Sequence, residues 1–517
     1  MERTVTDSMR QISFMEDSKV RKHIINVMRS IAFLMILAIS LHYINQVLMP
    51  KYILSNNTWP TTSSYNQFYE MEKDSIDVLF LGSSFAVNAF SPQEIYNVYG
   101  IRSYNLGSEQ QSIFLSYFWL KEALRFQSPK VVVLDTFYLL TVHPEDPINT
   151  AEELTRKCLD PMKWSLVKKE AVSDLCELDE TQSELSYYLT NIRFHTRWAA
   201  LSEYDMVYDE VRNSELKGYG PIAEYGESIF YPYTPSGDTE TKIGTNEVMQ
   251  TYLDKIVDLC KENGITFVLV SLPGNIMNDR FNNTLTSYAY EKQIDYYNLC
   301  EANIYNSIGA TLPKESVVDH ENLWGAMKMS QYIGGLMKDV YNVEAVEDDQ
   351  YESTREFYDR IIKNCELVHI TDINEYLQTI YDDNYTIFIV SRAESMDGLT
   401  DQVMENLHAM GLNQDLLGKF GWSYSAVVSP ENGISEILLP DEYAELSGSI
   451  RNRNTFYTII GSGQYTGPNS YSSIIIDGTE YCRDGGAGLN FVIYDNYLMK
   501  VVDSVTFKTG ASCAAVR

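Results

Sequence analysis

Cysteine is scarce in this chain: seven among 517 residues, at positions 158, 176, 260, 300, 365, 482 and 513, with no CxxC pair and no Cys/His ligand spacing. That pattern indicates no metal site, and nothing else in the chain calls for a cofactor. The odd count leaves at least one thiol that cannot pair internally, while Cys158 and Cys176 stand close enough for a local disulfide in an oxidising compartment. Positive charge is also in short supply, with 40 Lys and Arg against 71 Asp and Glu and a formal net charge of −31. A field of that sign repels phosphate backbones, so nucleic acid is not an expected partner; the surplus of acid also serves to keep a large exposed domain soluble. Short internal repeats and low-complexity tracts are lacking, so no solenoid is expected.

Long hydrophobic runs are limited to one. From Ser30 to Pro50 there is no Asp, Glu, Lys or Arg, and the run IAFLMILAISLHYINQVLM has the length a helix needs to cross hydrocarbon. Ile24, Ile25 and Val27 extend it, with Arg29 near enough to the edge to snorkel. Arg10, Lys19, Arg21, Lys22 and Arg29 precede the run, whereas Lys51 stands alone soon after it, and this bias puts the N-terminus in the cytoplasm. Everything after residue 50 is then expected outside the cell membrane. A cleaved signal peptide is the rival reading, because Ala38-Ile39-Ser40 has a small-x-small form, yet the apolar run continues well past it.

What is present in quantity is ordinary folded protein: 44% hydrophobic and 21% charged residues, over a length that exceeds one core. Ser75-Ile76-Asp77-Val78-Leu79-Phe80-Leu81, Lys130-Val131-Val132-Val133-Leu134-Asp135 and Ile265-Thr266-Phe267-Val268-Leu269-Val270 read as buried strands. Amphipathic stretches at 109–126, 247–262 and 323–341 read as helices, the second with Met249, Tyr252, Leu253, Ile256, Val257 and Cys260 on one side. Short apolar strands alternating with such helices predict an α/β fold, a mainly parallel sheet with helices on both faces. Residues after the acid-rich stretch near 344–357 mix strands (385–391, 472–476, 489–494, 498–508) with a helix near 399–411. The expected layout is a cytoplasmic tail (1–23), a transmembrane helix (24–50), a tether (51–74), an α/β domain (75–343), a linker (344–369) and a β-rich α+β domain (370–517).

Three segments of the α/β domain carry candidate chemistry. The strand ending at Leu81 runs into Gly82-Ser83-Ser84-Phe85. A serine just past the carboxyl end of a parallel strand stands in the crevice where doubly wound sheets bind ligands, although the tripeptide alone also reads as a plain turn. Tyr104-Asn105-Leu106-Gly107 closes a second short strand and offers the Gly107 N–H and the Asn105 amide as donors to an oxyanion, beside the N–H of Ser84. Asp319-His320-Glu321-Asn322-Leu323-Trp324-Gly325-Ala326 precedes the last helix. A serine hydroxyl needs a base to become a nucleophile, and His320 is the one histidine between His195 and His369. An acid beside it would fix the imidazole tautomer.

Together these segments resemble the SGNH/GDSL hydrolase superfamily, and within it the membrane-anchored bacterial branch similar to proteins of teichoic-acid D-alanylation and exopolysaccharide O-acetylation. Asp77 to Ser84 is similar to the first block of that family, whose Gly-x-Ser triplet ends on the nucleophile and so selects Ser84. Asn105-Leu106-Gly107 resembles the block with the oxyanion glycine. His320-x-Asn322-x-x-Gly325-Ala326 resembles the final block, with Glu321 where Leu is usual. The family's acid stands three residues before the histidine, where this chain has Val317; Asp319 or Glu315 would have to substitute. Gln110, Gln111 and Thr136 lie near sheet ends, but none matches a motif for the third oxyanion donor. The segment from Tyr188 to Trp198 is also similar to one seen in this branch, which implies that His195 and Arg197 line the substrate site, unless a structural Arg-Trp stack explains them. The resemblance implies an extracytoplasmic O-acyltransferase or acylesterase acting on a cell-wall or exopolysaccharide glycan, with the acyl donor handed over by a membrane-bound O-acyltransferase. A degenerate, non-catalytic glycan-binding or scaffold protein is the alternative.

Residues 370–517 resemble a different module, the interleukin-like EMT inducer domain, through Tyr385-Thr386-Ile387-Phe388-Ile389-Val390, Phe420-Gly421-Trp422-Ser423-Tyr424 and Gly488 to Phe507. The last stretch normally comes first in that family, which suggests a circular permutation. The resemblance implies carbohydrate binding, with Trp422, Tyr424 and the loop from Tyr465 to Tyr471 either as stacking surface or as core.

Overall fold

A computed structural model describes all residues except 1, 51–61, 140–142, 144, 202–204, 206–214, 226–231, 275–276, 310–314, 318–319, 451–454 and 469, with side chains from residue 21 onward apart from those of 62, 63 and 317. The chain divides into two units. The first comprises Met1–Gly220, Phe230–Gly309 and Met329–Val346; the second comprises Pro221–Ile229, Ala310–Lys328 and Glu347–Arg517.

The first unit begins with the helix Glu2–Leu48, of which Arg21–Leu48 is long and apolar enough to cross a membrane, with a mean hydropathy of 2.2 over its most apolar window. None of the described residues packs over that window. Its sheet has five strands: β1 (Val78–Leu81), β2 (Ser103–Asn105), β3 (Val131–Asp135), β4 (Thr266–Ser271) and β5 (Asp295–Asn298). They lie in the order β2-β1-β3-β4-β5, all parallel, with Val78 opposite both Ser103 and Val131. The continuous apolar runs of β1 and β3 follow from this, since a central parallel strand is covered on both faces and needs no polar alternation. The connection from β1 to β2 travels one way across the sheet and those from β2 to β3 and β3 to β4 the other. Right-handed crossovers therefore put their helices on opposite faces. On one face, helix Pro92–Tyr99 meets helix Leu323–Asp339, with the Tyr99 hydroxyl donating to Gln331 O at 2.8 Å. On the other, helix Ile113–Ala123 packs against helix Glu247–Glu262, with the Phe114 and Tyr252 rings 4.7 Å apart.

Two stretches differ from expectation. Within the expected tether, Thr62–Phe68 is a helix whose Tyr65 stacks on Trp119 at 4.2 Å between ring centroids, both fully buried. Aromatic side chains without a clear period read as a spacer, yet their large apolar area is what the core takes in. Residues 51–61 of that segment lie outside the described residues. The acid-rich stretch 344–369 contains helix Arg355–Leu367, which buries Phe357, Tyr358, Ile361 and Cys365 and leaves its acids outside. All seven cysteines are free thiols, Cys158 beside the Tyr65 hydroxyl at 3.4 Å.

The second unit contains the short hairpin β6 (Ser316–Val317) and β7 (His320–Glu321), then a curled ten-stranded sheet. Its strands are β8 (Tyr385–Ala393), β9 (Ser423–Ser429), β10 (Gly433–Leu439), β11 (Ala444–Ile450), β12 (Thr455–Gly463), β13 (Ser473–Ile476), β14 (Thr479–Glu480), β15 (Gly488–Asp495), β16 (Lys500–Phe507) and β17 (Ala515–Val516). Strand β8 pairs antiparallel with β9 and β15 and, at Ser462–Gly463, parallel with β12. Its side chains alternate between two cores. Ile387 and Ile389 face the cluster that includes helices Ile373–Ile380 and Asp401–Ala409, while Phe388 and Val390 face Val427, Ile459 and Ile474. A strand buried on both faces again reads as an unbroken apolar run.

Candidate functional site

The strand order of the first unit reverses between β1 and β3, and ligands of open α/β sheets bind at such a reversal, outside the carboxyl ends of the strands. Both carboxyl ends are chemically marked here. Strand β1 leads through Gly82 and Ser83 into the helix Ser84–Ala89, and β3 ends on Asp135.

The turn is held by that acid. Ser83 donates its N–H to Asp135 Oδ2 at 2.6 Å and its hydroxyl to the same oxygen at 2.7 Å, and the Phe137 N–H donates to Asp135 Oδ1 at 2.7 Å. The Ser83 oxygen in turn accepts from the Phe85 N–H, capping the short helix. Ser83 is buried and Ser84, one residue on, is half-buried at the first helical position, while Phe85 to Ala89 are all buried. The fixed turn thus separates the two serines: one is a buried anchor, the other is partly exposed at the carboxyl end of β1. Phe85 and Phe137, with ring centroids 4.5 Å apart, pack beside it.

Gly82 permits this approach. Its φ of +137° suits only glycine, and a Cβ there would lie 2.5 Å from Asp135 Oδ2. Gly82→Ala is expected to cost about 2–4 kcal/mol, from strain and displacement of the carboxylate, read as a lowered denaturation midpoint.

The expected oxyanion donors face inward. Asn105, fully buried, donates its side-chain amide to Ala86 O at 2.8 Å and Phe90 O at 3.1 Å, and its Oδ1 accepts the Gly107 N–H at 3.0 Å. Asn105 therefore fastens the Ser84 helix to β2. A Cβ at Gly107 would lie 2.9 Å from Asn105 Oδ1 and 3.1 Å from Gly82 O, so a side chain there would have to displace a neighbour. Gln111 accepts from Tyr65 and donates to Ser116, and Thr136 shares a hydrogen bond with Ser271.

Arg197 and His195, expected at a substrate site, sit at the end of the N-terminal helix. Arg197 donates to Leu48 O at 2.7 Å and pairs with the buried Asp205 at 2.8 Å, and His195 Nδ1 lies 3.0 Å from Ile192 O. A guanidinium on the last carbonyls of a helix satisfies an orphan acceptor and opposes the negative end of the dipole, which is a structural role. Trp198, the other half of the stack that sequence offered, is 72% exposed.

His320 opens β7 in the second unit and is half-buried; Asp319 lies outside the described residues. Glu315, the other candidate acid, is paired with Lys328 at 2.7 Å. Glu321 is buried, and its Oε2 has no hydrogen-bond partner among the described residues. Burial first, and the nearby Glu315 carboxylate second, push its carboxyl up to about 8. Asn322 accepts from the Gly325 N–H and donates to Glu224 O, which starts the helix Leu323–Asp339. Farther on, Tyr424 is core, its hydroxyl donating to Glu436 at 3.1 Å, whereas Tyr465 and Tyr471 are exposed and Trp422 is half-buried beneath Lys419.

Sequence reading missed Asp135 as a site residue. The available signal was a single acid closing an otherwise apolar strand, where a carboxylate has to be hydrogen-bonded to be tolerated. Neither the models of known protein families nor the curated proteins give a match to this chain.

Proposed function

We propose that the chain is an extracytoplasmic, membrane-anchored, serine-dependent O-acyltransferase or acylesterase of SGNH type, acting on a cell-wall or exopolysaccharide glycan. What carries this reading is the half-buried Ser84, leading a helix at the reversal point of the sheet on a turn bonded to a buried acid. In the proposed cycle a general base removes the Ser84 proton as Oγ bonds to the acyl carbon. The tetrahedral oxyanion collapses, and the departing oxygen takes the proton from that base. A sugar hydroxyl or water then repeats the sequence and releases the acyl group from Ser84. The N-terminus is assigned to the cytoplasm, a membrane-bound O-acyltransferase to the role of acyl supplier, and the aromatics Trp422, Tyr465 and Tyr471 to glycan contact.

A non-catalytic scaffold is the second reading, favoured by the internal engagement of Asn105 and Gly107. The full chain in nanodiscs, incubated with an activated acyl ester, separates the two. Wild type is expected to turn over and to gain acyl mass on Ser84, and Ser84→Ala to do neither. Equal turnover by the two proteins would remove the assignment. Loss of the acyl mass on adding glycan, faster than in water alone, marks a transferase.

A further inference from the structure

The first unit carries an apolar surface that none of the described residues covers. Trp164 is 62% exposed, Leu166 84%, Leu185 and Leu189 each 55%, Ile192 46% and Trp198 72%. Single exposed apolar residues are normal, but these six occur within thirty-five positions, on short connected helices, and tryptophans are seldom left to water. Trp164 and Tyr188 are in ring contact at 4.8 Å, which brings Trp164 to the stretch that begins near Leu185.

The surface adjoins the end of the apolar N-terminal helix. Thr190 bonds to Asn45, the Asn191 amide reaches Leu41 O at 3.5 Å, and Arg197 holds Leu48 O. Leu41 and Leu48 are seven positions apart, about 10 Å along the helix. The apolar stretch Arg21–Leu48 has 28 residues, about 42 Å, which is the thickness of a bilayer including both headgroup layers. With about 30 Å of hydrocarbon between them, each end of the stretch has about 6 Å at headgroup depth, so the residues that Thr190, Asn191 and Arg197 contact run from the edge of the hydrocarbon into that layer. Glu184, Arg193 and His195, interspersed and exposed, suit that depth, where charge stays hydrated.

We propose that this surface is a lipid-binding face: Trp164, Leu166, Leu185, Leu189, Ile192 and Trp198 insert into the interfacial layer and seat the first unit on the bilayer. The inference is independent of the serine chemistry. The occupant is lipid because the surface continues directly from an apolar span at matching depth, and because its two tryptophans are the residue type enriched at membrane interfaces.

The full chain, one copy per nanodisc, is prepared with and without brominated lipid. Residues 21–48 contain no tryptophan, so quenching reports on the remainder of the chain. Bromolipid quenching is expected in wild type and to fall about twofold or more when Trp164→Phe and Trp198→Phe are combined. Hydroxyl-radical footprinting of wild type in the same discs needs no variant: Leu166 and Trp198 are expected to be protected relative to Tyr290, which is 87% exposed. Quenching unchanged by the double variant, or Leu166 and Trp198 oxidised as readily as Tyr290, overturns the proposal and leaves the face to a protein partner.

Discussion

Asp135→Ala is expected to destabilise the first unit by roughly 3–5 kcal/mol and to abolish any Ser84-dependent turnover. The carboxylate accepts two backbone N–H groups and one hydroxyl in a buried turn. Removing it strands donors that water reaches poorly, and an orphaned buried donor costs more than a hydrogen bond contributes. The Ser83 hydroxyl can rotate to another acceptor; the backbone groups of Ser83 and Phe137 cannot. The turn then relaxes, carrying Ser84 with it. Asp135→Asn keeps the shape but turns one acceptor into a donor, so an intermediate loss is expected. Denaturation midpoints for the three proteins, measured beside acylation of Ser84, test the pair of effects. Wild-type stability in Asp135→Ala would show that the acid is not what holds the turn.

Raising the pH is expected to loosen the β6–β7 hairpin through Glu321. Its carboxyl, ordinarily near 4.5, is pushed up to about 8 by burial and by Glu315. A folded-state value above the unfolded one means that the contribution is fully present below about 4.5 and is lost as pH rises through about 8. The whole interval corresponds to roughly 4–5 kcal/mol. A cause lies in the packing: a Cβ on Gly325 would collide with both Glu321 Oε2 and Glu315 O, so the missing side chain at 325 is what makes room for the acid. Glu321→Gln cannot ionise. Its advantage over wild type is expected to grow between about pH 5 and pH 9, read from denaturation midpoints on the full chain. Parallel pH profiles for the two proteins would sink this account.

Much of the fold was legible because its signals are periodic. The helix Glu247–Glu262 was readable from the spacing of Met249, Leu253, Ile256 and Cys260, and β3 from three consecutive valines before Leu134. The curled sheet was harder. Strands β10 and β11 leave most of their side chains half-buried or exposed without a clean alternation, so a local window carries little of their signal. The site shows the same division. The Gly82-Ser83-Ser84 turn could be located from sequence because strand ends and glycines are local features. That Ser83 anchors to Asp135, that Asn105 turns inward and that Arg197 caps a helix are contacts over 52, 15 and 149 positions. No local pattern encodes them.

The clasp of Arg197 on the last carbonyl of the N-terminal helix bears on motion. A domain hung from a free linker swivels and bobs, sampling a broad range of heights and headings. One bolted at the helix end turns only as that helix turns. With the helix in a bilayer, the crevice beside Ser84 would keep one altitude and one bearing. Any molecule entering it would be sorted by how near the lipid surface it travels, before any chemistry discriminates.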